Sequence, residues 1–298
     1  MEHLTHDQID MAQWDLAIGA AKNSGWYGTS TALQAAAPGW EALRDTRTGT
    51  LFPLVWRRKF GIRYLHQPFM LQHAGPFNGR GDSTGEILRS IPADFRYVDI
   101  CLDLAVPPEV SGFRFEQRIN HVLALEGAGS KLRAGFSVNH RRNVRKAARS
   151  GVRIRSARPQ EVGPFIVGSP QFAKWRAGGR ARAGMERILD YTGRDGSGFG
   201  RMAMLDGRPV AAGWFVQYQD RVIFLKGVAL QEGRTVGAMH LLLDSVMHEM
   251  AQTCAVFDFA GGNDPELARF YSGFGARQVL YLRALMNRLP PLIRHMKT

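Results

Sequence analysis

The sequence predicts a mixed α/β fold, of the α+β type, in which a mostly antiparallel central sheet is flanked by helices. The main observation is a series of apolar segments in residues 201–230, which two turns divide into three antiparallel strands. Asp206 and Gly207 form an Asp-Gly pair between apolar runs, which is typical of a β-hairpin. A second turn at Gln219 and Asp220 predicts a meander. Helical periodicity before and after these strands predicts the flanking helices.

The segment before the meander predicts a helix, a turn and a strand. Ser137 can cap the helix, and Gly151 is placed to end it. Val144, Ala147 and Ala148 form a narrow apolar stripe at helical spacing. Residues 152–155 then alternate between apolar and basic side chains, as in a half-buried strand. The segment is rich in arginine and has no acidic residue. Either it is an ordinary solvated face, or it binds anions.

Further elements follow from the same patterns. Residues 160–192 predict helices that are interrupted around Gly178 and Gly179. After the meander, Met239–Met250 has helical spacing. The chain then predicts a short buried strand, a Gly-rich loop, a short helix and a last strand, in the segments 253–259, 261–265, 266–271 and 276–285. In the N-terminal half, strands are predicted within residues 48–77, 97–104 and 114–125.

Composition places the chain among ordinary globular proteins of one large or two smaller domains. It has 298 residues, of which 45% are hydrophobic and 22% are charged. Its formal net charge of +13 favours anionic partners such as RNA, phosphorylated small molecules or an acidic membrane surface. The interpretation as a pure nucleic-acid binder is weaker, because no aromatic residues are interleaved with the basic ones for base stacking.

Other signals indicate a cytoplasmic, reduced protein. The first ten residues lack the features of a signal peptide, and no apolar run approaches the length of a membrane span. Cys101 and Cys254 are far apart and have no motif around them, so neither a disulfide framework nor a metal site is predicted. The basic end, residues 289–298, is interpreted as a frayed terminus, with contact to a membrane surface as the alternative.

Three segments together resemble the GNAT acyltransferases, and within them the FemAB/FemX-like branch. They are SVNHRRNVRKAARSGVRI (137–154), LDGRPVAAGWFVQY (205–218) and VFDFAGGNDPELARFYSGFGA (256–276). The resemblance covers about half of the chain, roughly residues 137–286. It implies two tandem GNAT-like domains, an acceptor-side domain in residues 1–130 and an acyl-donor domain in residues 131–298, although no direct repeat is visible between the halves.

The resemblance also implies where an acyl donor would bind. The family supplies an oxyanion donor from the backbone where its two middle strands splay, which here is near Gly227 and Val228. The pyrophosphate of acyl-CoA would lie on the following stretch, QEGRTVGA, at the start of a helix. Arg234 stands there where the family pattern has its first glycine, so an ordinary strand-to-helix loop is the alternative. The predicted donor-binding residues are Gly227, Val228, Gly233, Arg234, Thr235, Val236, Gly237, Ala238 and Asn263.

Two residues are predicted to act on protons. Tyr271 matches a tyrosine that protonates the departing thiolate in many GNAT enzymes, and its alternative role is packing in the core. Asp258 is the remaining carboxylate near the site and the candidate general base, because the fourth strand of this domain offers Lys226 where many relatives have a carboxylate.

Acceptor binding is assigned to two groups of polar residues and to one lysine. Lys226 could bind an acceptor carboxylate or phosphate, or simply extend its amine to solvent. The histidines of the N-terminal loop could serve as a base, bind the acceptor or remain solvated. The predicted acceptor-binding residues are His66, Gln72, His73, Arg141, Arg142, Arg145, Lys146 and Lys226.

The function expected from this resemblance is N-acyl transfer from acyl-CoA, such as acetyl-CoA, to an amine of a small anionic acceptor related to the cell envelope or to carbohydrates. A second hypothesis is transfer from aminoacyl-tRNA to a peptidoglycan precursor. It is disfavoured because residues 156–200 leave no room for the long helical hairpin of such enzymes. A third hypothesis is a non-catalytic module that binds anions or RNA.

Overall fold

The structure, a computed structural model, describes residues 1–79, 81–125, 130–174 and 178–291. Contacts divide the chain into two compact units, Met1–Arg118 together with the chain from Leu280 onward, and Ile119–Val279. The predicted domain boundary after residue 130 lies beside residues 126–129, which are outside the described ranges, and stays a prediction. Most of the terminal segment interpreted as frayed, residues 292–298, is also outside them.

The secondary structure is mixed throughout both units. The strands are β1 (Glu2–Leu4), β2 (Glu41–Asp45), β3 (Thr50–Leu54), β4 (Trp56–Lys59), β5 (Ile62–His66), β6 (Phe95–Leu102), β7 (Arg114–Ala124), β8 (Arg153–Ala157), β9 (Gly198–Leu205), β10 (Arg208–Tyr218), β11 (Arg221–Ala229), β12 (Val256–Asp258) and β13 (Arg277–Asn287). The helices are α1 (Met11–Ala20), α2 (Ser30–Ala36), α3 (Gly81–Arg89), α4 (Ser130–Ala134), α5 (Val138–Arg149), α6 (Pro159–Val167), α7 (Pro170–Lys174), α8 (Gly179–Asp195), α9 (Gln231–Val236), α10 (Ala238–Met250) and α11 (Pro265–Ser272). The predicted fold class is confirmed.

The first unit contains two sheets over an apolar core. β1, β2 and β3 form an antiparallel sheet in that order, and β4, β5, β6 and β13 are neighbours in a second sheet. The pairing of β5 with β6 is parallel, whereas β13 runs antiparallel to β6. The core of this unit includes Phe52, Phe95 and Ile100, and each of these three residues is at most 2% exposed. The helices α1 and α2 were not predicted from the sequence.

The second unit has the strand order β7-β12-β11-β10-β9-β8. The predicted meander is present as β9, β10 and β11, which pair in antiparallel fashion. Asp206 and Gly207 both have positive φ, 48° and 75°, as a tight hairpin turn requires. The helix α10 packs on these strands through Leu242, Val246 and other buried side chains, and it forms one core with Phe215.

The basic segment folds as its pattern predicts. The hydroxyl of Ser137 accepts the backbone N–H of His140 at 3.2 Å and caps α5. Val144 and Ala147 are buried, and Gly151 follows the helix with φ of 82°, a conformation that glycine adopts without steric cost. The chain then enters β8. The basic residues between these apolar positions lie largely toward solvent.

Candidate functional site

The neighbouring strands β11 and β12 of the second unit pair along only part of their length and then separate. β11 and β12 are parallel and pair only where Arg221–Ile223 faces Val256–Asp258. Beyond this point β12 ends and the chain bends at Ala260, while β11 continues to Ala229. The sheet therefore has a gap beside the second half of β11.

This gap holds a cavity of about 570 Å³. Its lining comes from β11, from the chain after β12, and from α7, α9, α10 and α11. The lining residues are Gln171, Lys174, Phe224, Leu225, Lys226, Gly227, Val228, Ala229, Gly233, Arg234, Gly237, Met239, His240, Phe259, Ala260, Gly261, Asp264, Glu266, Leu267, Phe270 and Tyr271. Seven of the residues predicted from the sequence are among these, namely Lys226, Gly227, Val228, Gly233, Arg234, Gly237 and Tyr271.

The pairing on the other edge of β11 determines which backbone groups face the gap. The N–H of Leu230 donates to the carbonyl of Val210 at 2.9 Å, which identifies a hydrogen-bonded pair with β10. Such pairs alternate along an antiparallel ladder. Val228 therefore directs its backbone groups to β10, whereas Gly227 and Ala229 direct theirs into the gap. The oxyanion donor was predicted from the sequence near Gly227 and Val228.

Contacts at Ala229 support this alternation. Its carbonyl accepts hydrogen bonds from the Gln171 amide at 2.6 Å and from Nε of Arg234 at 3.1 Å. At Gly227, an added Cβ would lie 2.4 Å from the ring of Phe224 and 3.0 Å from a backbone oxygen of β10. The absence of a side chain thus lets the strand approach its neighbours closely beside the cavity.

A β-bulge shapes the same part of β11. Trp214 of β10 faces Lys226, but the next residue, Phe215, faces Phe224, so Leu225 is an extra residue on β11. A bulge bends its strand and increases the local twist. The bend falls where β11 leaves β12, so it widens the gap.

Tyr271 contributes a phenol to the cavity from α11. The side chain is 7% exposed, and its ring packs on Phe259 with a centroid distance of 4.5 Å. Burial raises the pKa of this phenol above its ordinary value. The hydroxyl consequently stays protonated at physiological pH and can act as a hydrogen-bond donor or a proton donor.

Lys226 contributes an amine to the same cavity. Burial lowers its pKa to about 8, because removal from water disfavours the charged ammonium. A lysine with this pKa has an appreciable neutral fraction near physiological pH, unlike a free lysine side chain near 10.4.

The stretch QEGRTVGA is mostly helical and not an open loop. α9 covers Gln231–Val236, and Gly237 has φ of 81° at the junction with α10. A Cβ at Gly237 would lie 2.8 Å from the carbonyl oxygen of Asn143, so α5 packs closely against this junction. Arg234 lines the cavity with its exposed side chain, whereas Thr235, Val236 and Ala238 lie outside the lining.

Asp258 and Asn263 also lie outside the cavity lining. The Asp258 carboxylate is 4% exposed, and it accepts hydrogen bonds from Asn120 at 2.9 Å and Arg221 at 2.7 Å. These contacts secure the end of β12, and the role of Asp258 as a base stays a prediction. The amide oxygen of Asn263 accepts the backbone N–H of Ile119 at 3.0 Å, which ties its loop to β7.

Two histidines near the cavity were missed by the sequence analysis. His240 lines the cavity, and its ring lies 4.6 Å from that of His140. Burial and the neighbouring His140 lower the pKa of His240 to about 4, so it is neutral at physiological pH. Asn143 donates to its Nε2 at 3.4 Å. In the sequence, His240 stands out only as a polar residue at the start of an apolar helix, and this pattern is too common to identify a site.

The basic residues of α5 also lie outside the cavity lining. Lys146 donates to the carbonyl of Thr235 at 2.7 Å, and Arg141 donates to the carbonyl of Ala134 at 3.1 Å. These two residues thus have structural contacts with the ends of α9 and α4. Arg142 bonds to Asn139 beside it, and Arg142 and Arg145 are exposed.

Of the residues predicted for acceptor binding in the first unit, Gln72 is buried and His66 and His73 are partly buried. Among the described residues, neither ring nitrogen of His66 and neither amide atom of Gln72 has a hydrogen-bond partner, and the same holds for Nδ1 of His73. Burial lowers the pKa of His66 to about 4. The ring of His73 packs edge-on against Tyr27 at 5.0 Å. Unpaired buried polar atoms are costly, and they require a solvent or ligand partner.

The described ranges contain neither a metal-ligand cluster nor a membrane-spanning helix. No three or more His, Cys, Asp or Glu side chains gather there as metal ligands would. None of the helices within those ranges combines the length and apolar character needed to cross a membrane.

Comparison with known proteins identifies the fold and a domain match in the second half of the chain. Residues 134–267 match the family described as the acetyltransferase (GNAT) domain. The structure of FemX aligns over 100% of both chains with a TM-score of 0.70 at 12% identity. A tandem GNAT protein from the clavulanic acid biosynthesis pathway aligns over 97% of this chain and 99% of its own, with a TM-score of 0.55 at 14% identity.

A further structure of this fold is the C-terminal domain of a putative lysylphosphatidylglycerol synthetase from Agrobacterium fabrum. It covers 96% of this chain and 95% of its own, with a TM-score of 0.55 at 11% identity. No curated protein matches the chain. Residues 134–267 thus match a GNAT acetyltransferase domain, and the chain has the FemX-like tandem-domain fold, as the resemblance in its sequence predicts.

Proposed function

We propose that the chain is a cytoplasmic N-acyltransferase that moves an acyl group from acyl-CoA to an amine of a small anionic acceptor related to the cell envelope or to carbohydrates. The observation that carries this proposal is the cavity beside β11. There, backbone N–H groups of Gly227 and Ala229 face the same space as a protonated Tyr271. A thioester carbonyl in this space would have oxyanion donors and an acid for its leaving group.

The reaction is direct transfer. A neutral acceptor amine attacks the thioester carbonyl, and the negative charge on its oxygen is stabilised by the N–H groups of β11. The C–S bond then breaks, the thiolate takes the proton of Tyr271, and the phenolate regains a proton from solvent. The acceptor nitrogen releases its proton to solvent, which leaves an amide and CoA.

The donor phosphates are assigned to the start of α10 and to Arg234. α10 begins directly after Gly237, and helix N-termini favour anions. Arg234 adds a cation at the edge of the cavity. In the first unit taken by itself, the buried polar atoms of His66, Gln72 and His73 can hydrogen-bond a hydroxyl or an amide of a ligand, and their role in acceptor binding stays a prediction.

Acetyl-CoA is expected to stabilise the protein against thermal unfolding. A ligand that binds only the folded state adds roughly 2.7 kcal/mol at 100 times its Kd. Differential scanning calorimetry with and without acetyl-CoA measures this, with adenosine as a control that lacks the pyrophosphate and the acyl arm. If acetyl-CoA raises the melting temperature no more than adenosine does, the donor assignment is wrong and a non-catalytic module becomes the better proposal.

Aminoacyl transfer from tRNA is the second candidate. The FemX-like fold and the exposed Arg142 and Arg145 on α5 favour it. Binding of a small phosphorylated acceptor involves few charges, whereas tRNA steepens the log–log salt dependence by about 0.7 to 0.9 per phosphate contact.

We expect tRNA to bind weakly at physiological salt. Titration of tRNA between about 50 and 200 mM salt tests this. The test variant is Arg142→Ala/Arg145→Ala on α5, and the control is Arg180→Ala/Arg182→Ala on α8. Tight binding that only the α5 variant abolishes would make aminoacyl-tRNA the preferred donor. Arg142 and Arg145 are predicted acceptor-binding residues. We therefore expect the Arg142→Ala/Arg145→Ala variant to lose acyl transfer and to keep its binding of acetyl-CoA.

A further inference from the structure

Lys226 and Tyr271 lie on opposite faces of the sheet. Lys226 is the cross-strand partner of Trp214, and paired residues share a face. The indole of Trp214 donates to the hydroxyl of Thr192 at 3.1 Å, so this is the face covered by α8. The lysine amine therefore enters the gap from the α8 side.

The aromatic residues next to Tyr271 occupy the other face. Phe215 follows Trp214 in β10 and so points the opposite way. It stacks on Phe224, 5.2 Å between ring centroids, and it meets Phe257 at 6.2 Å. Phe257 in turn contacts Phe259, whose ring packs on Tyr271. The phenol thus enters the gap from the side opposite to the amine.

This arrangement matches the two directions that acyl transfer requires. A thioester carbonyl held by the N–H groups of Gly227 and Ala229 would have the thiolate departing toward Tyr271. The attacking amine would come from the α8 side, where Lys226 already lines the cavity. Close placement of two reacting groups is itself a large contribution to rate.

We propose that Lys226 is a self-acylation site, at which its Nζ takes the acyl group of bound acyl-CoA when no acceptor amine occupies the cavity. This rests on the proposed function. Neutral Nζ attacks the thioester carbonyl, a C–N bond forms, and the C–S bond breaks. The thiolate takes the proton of Tyr271, Nζ releases one proton to water, and the phenolate regains a proton from water. The products are Nε-acyl-lysine and CoA.

The amide formed in this step is stable, so the acyl group does not pass on to an acceptor. It also removes the positive charge of Lys226 and occupies part of the cavity. Self-acylated protein should therefore bind acetyl-CoA less well than unmodified protein. An acceptor amine that fills the α8 side should protect Lys226.

The experiment is incubation of the full chain with acetyl-CoA alone, followed by intact mass and peptide mapping. We expect one acetyl group per chain at Lys226, and at least about a tenfold slower modification in Lys226→Arg, because a guanidinium stays protonated in proteins. The matched control is Lys59→Arg, which changes an exposed lysine of β4 outside the cavity lining and should leave the rate unchanged. Mapping of the wild-type chain decides the site even if a variant unfolds.

The rate should also depend on pH in a defined way. The neutral amine is the nucleophile, and burial places the pKa of Lys226 at about 8. Below that value the neutral fraction rises about tenfold per pH unit, and above it the fraction levels off. An exposed lysine would instead gain rate up to about pH 10.

Two results would overturn the inference and are distinguishable. If calorimetry detects acetyl-CoA binding but acetylation is absent from Lys226 or spread over exposed lysines, self-acylation at Lys226 is wrong and the proposed function stands. If calorimetry detects no acetyl-CoA binding, the proposed donor is wrong and the inference falls with it.

Discussion

Replacement of Tyr271 by phenylalanine is expected to lower kcat by about 10²-fold, the usual contribution of a general acid. The phenol lies in the cavity, and burial keeps it protonated by raising its pKa. Without it, the thiolate would leave unprotonated or with a proton from water. The ring that packs on Phe259 is retained, so the melting temperature should change little.

The measurement is release of CoA thiol from acetyl-CoA, with an amino sugar phosphate as the acceptor probe. Tyr281→Phe is the matched control, because Tyr281 is a buried tyrosine, 8% exposed, outside the cavity lining. It should leave kcat unchanged. A Tyr271→Phe protein that keeps its kcat but melts at a lower temperature would contradict the assignment and make Tyr271 a packing residue.

Reversal of charge at Arg234 is expected to weaken acetyl-CoA binding by on the order of 10²-fold. A hydrogen bond to a charged group contributes about 1.5–3 kcal/mol, and Arg234→Glu replaces that attraction with repulsion. The substitution also removes the bond from Arg234 to the carbonyl of Ala229, which positions the end of β11. Both effects act on the donor and not on the acceptor.

Isothermal titration calorimetry with acetyl-CoA measures this affinity. Arg208→Glu is the control, because Arg208 is an exposed arginine of β10 that pairs with Glu232 of α9 and lies outside the cavity lining. It changes the net charge equally at a nearby position. Equal affinities for Arg234→Glu and the wild-type chain would exclude Arg234 from the donor site. Equal losses in both variants would indicate a long-range charge effect without a specific contact.

Local patterns were sufficient for most elements of the second unit. The Asp-Gly turn, the capping Ser137 and the helix-ending Gly151 act through backbone geometry within a few residues, so they can be recognised without knowledge of the fold. The N-terminal helices α1 and α2 carry weaker local signals. Their apolar residues are required by the core of the first unit, which the sequence does not reveal.

Site residues divide in the same way. Gly227, Arg234 and Tyr271 were found because they lie in segments whose order resembles a known superfamily, and all three line the cavity. His240 and the backbone of Ala229 were not found. His240 has no distinctive sequence signal. The role of the Ala229 backbone depends on which residues of β11 form hydrogen-bonded pairs with β10, and the sequence does not show this.

The sequence by itself determined the mixed fold class, the meander, the basic capped helix and the resemblance to GNAT acyltransferases, because these depend on periodicity, turn residues and the order of motifs. Only the tertiary structure decided which groups meet. The early end of β12 opens the sheet beside β11, and the bulge at Leu225 and strand pairing set the side from which Lys226 and Tyr271 enter. Lys226 and Tyr271 are 45 positions apart in the sequence, and local sequence patterns do not predict that they meet at one cavity.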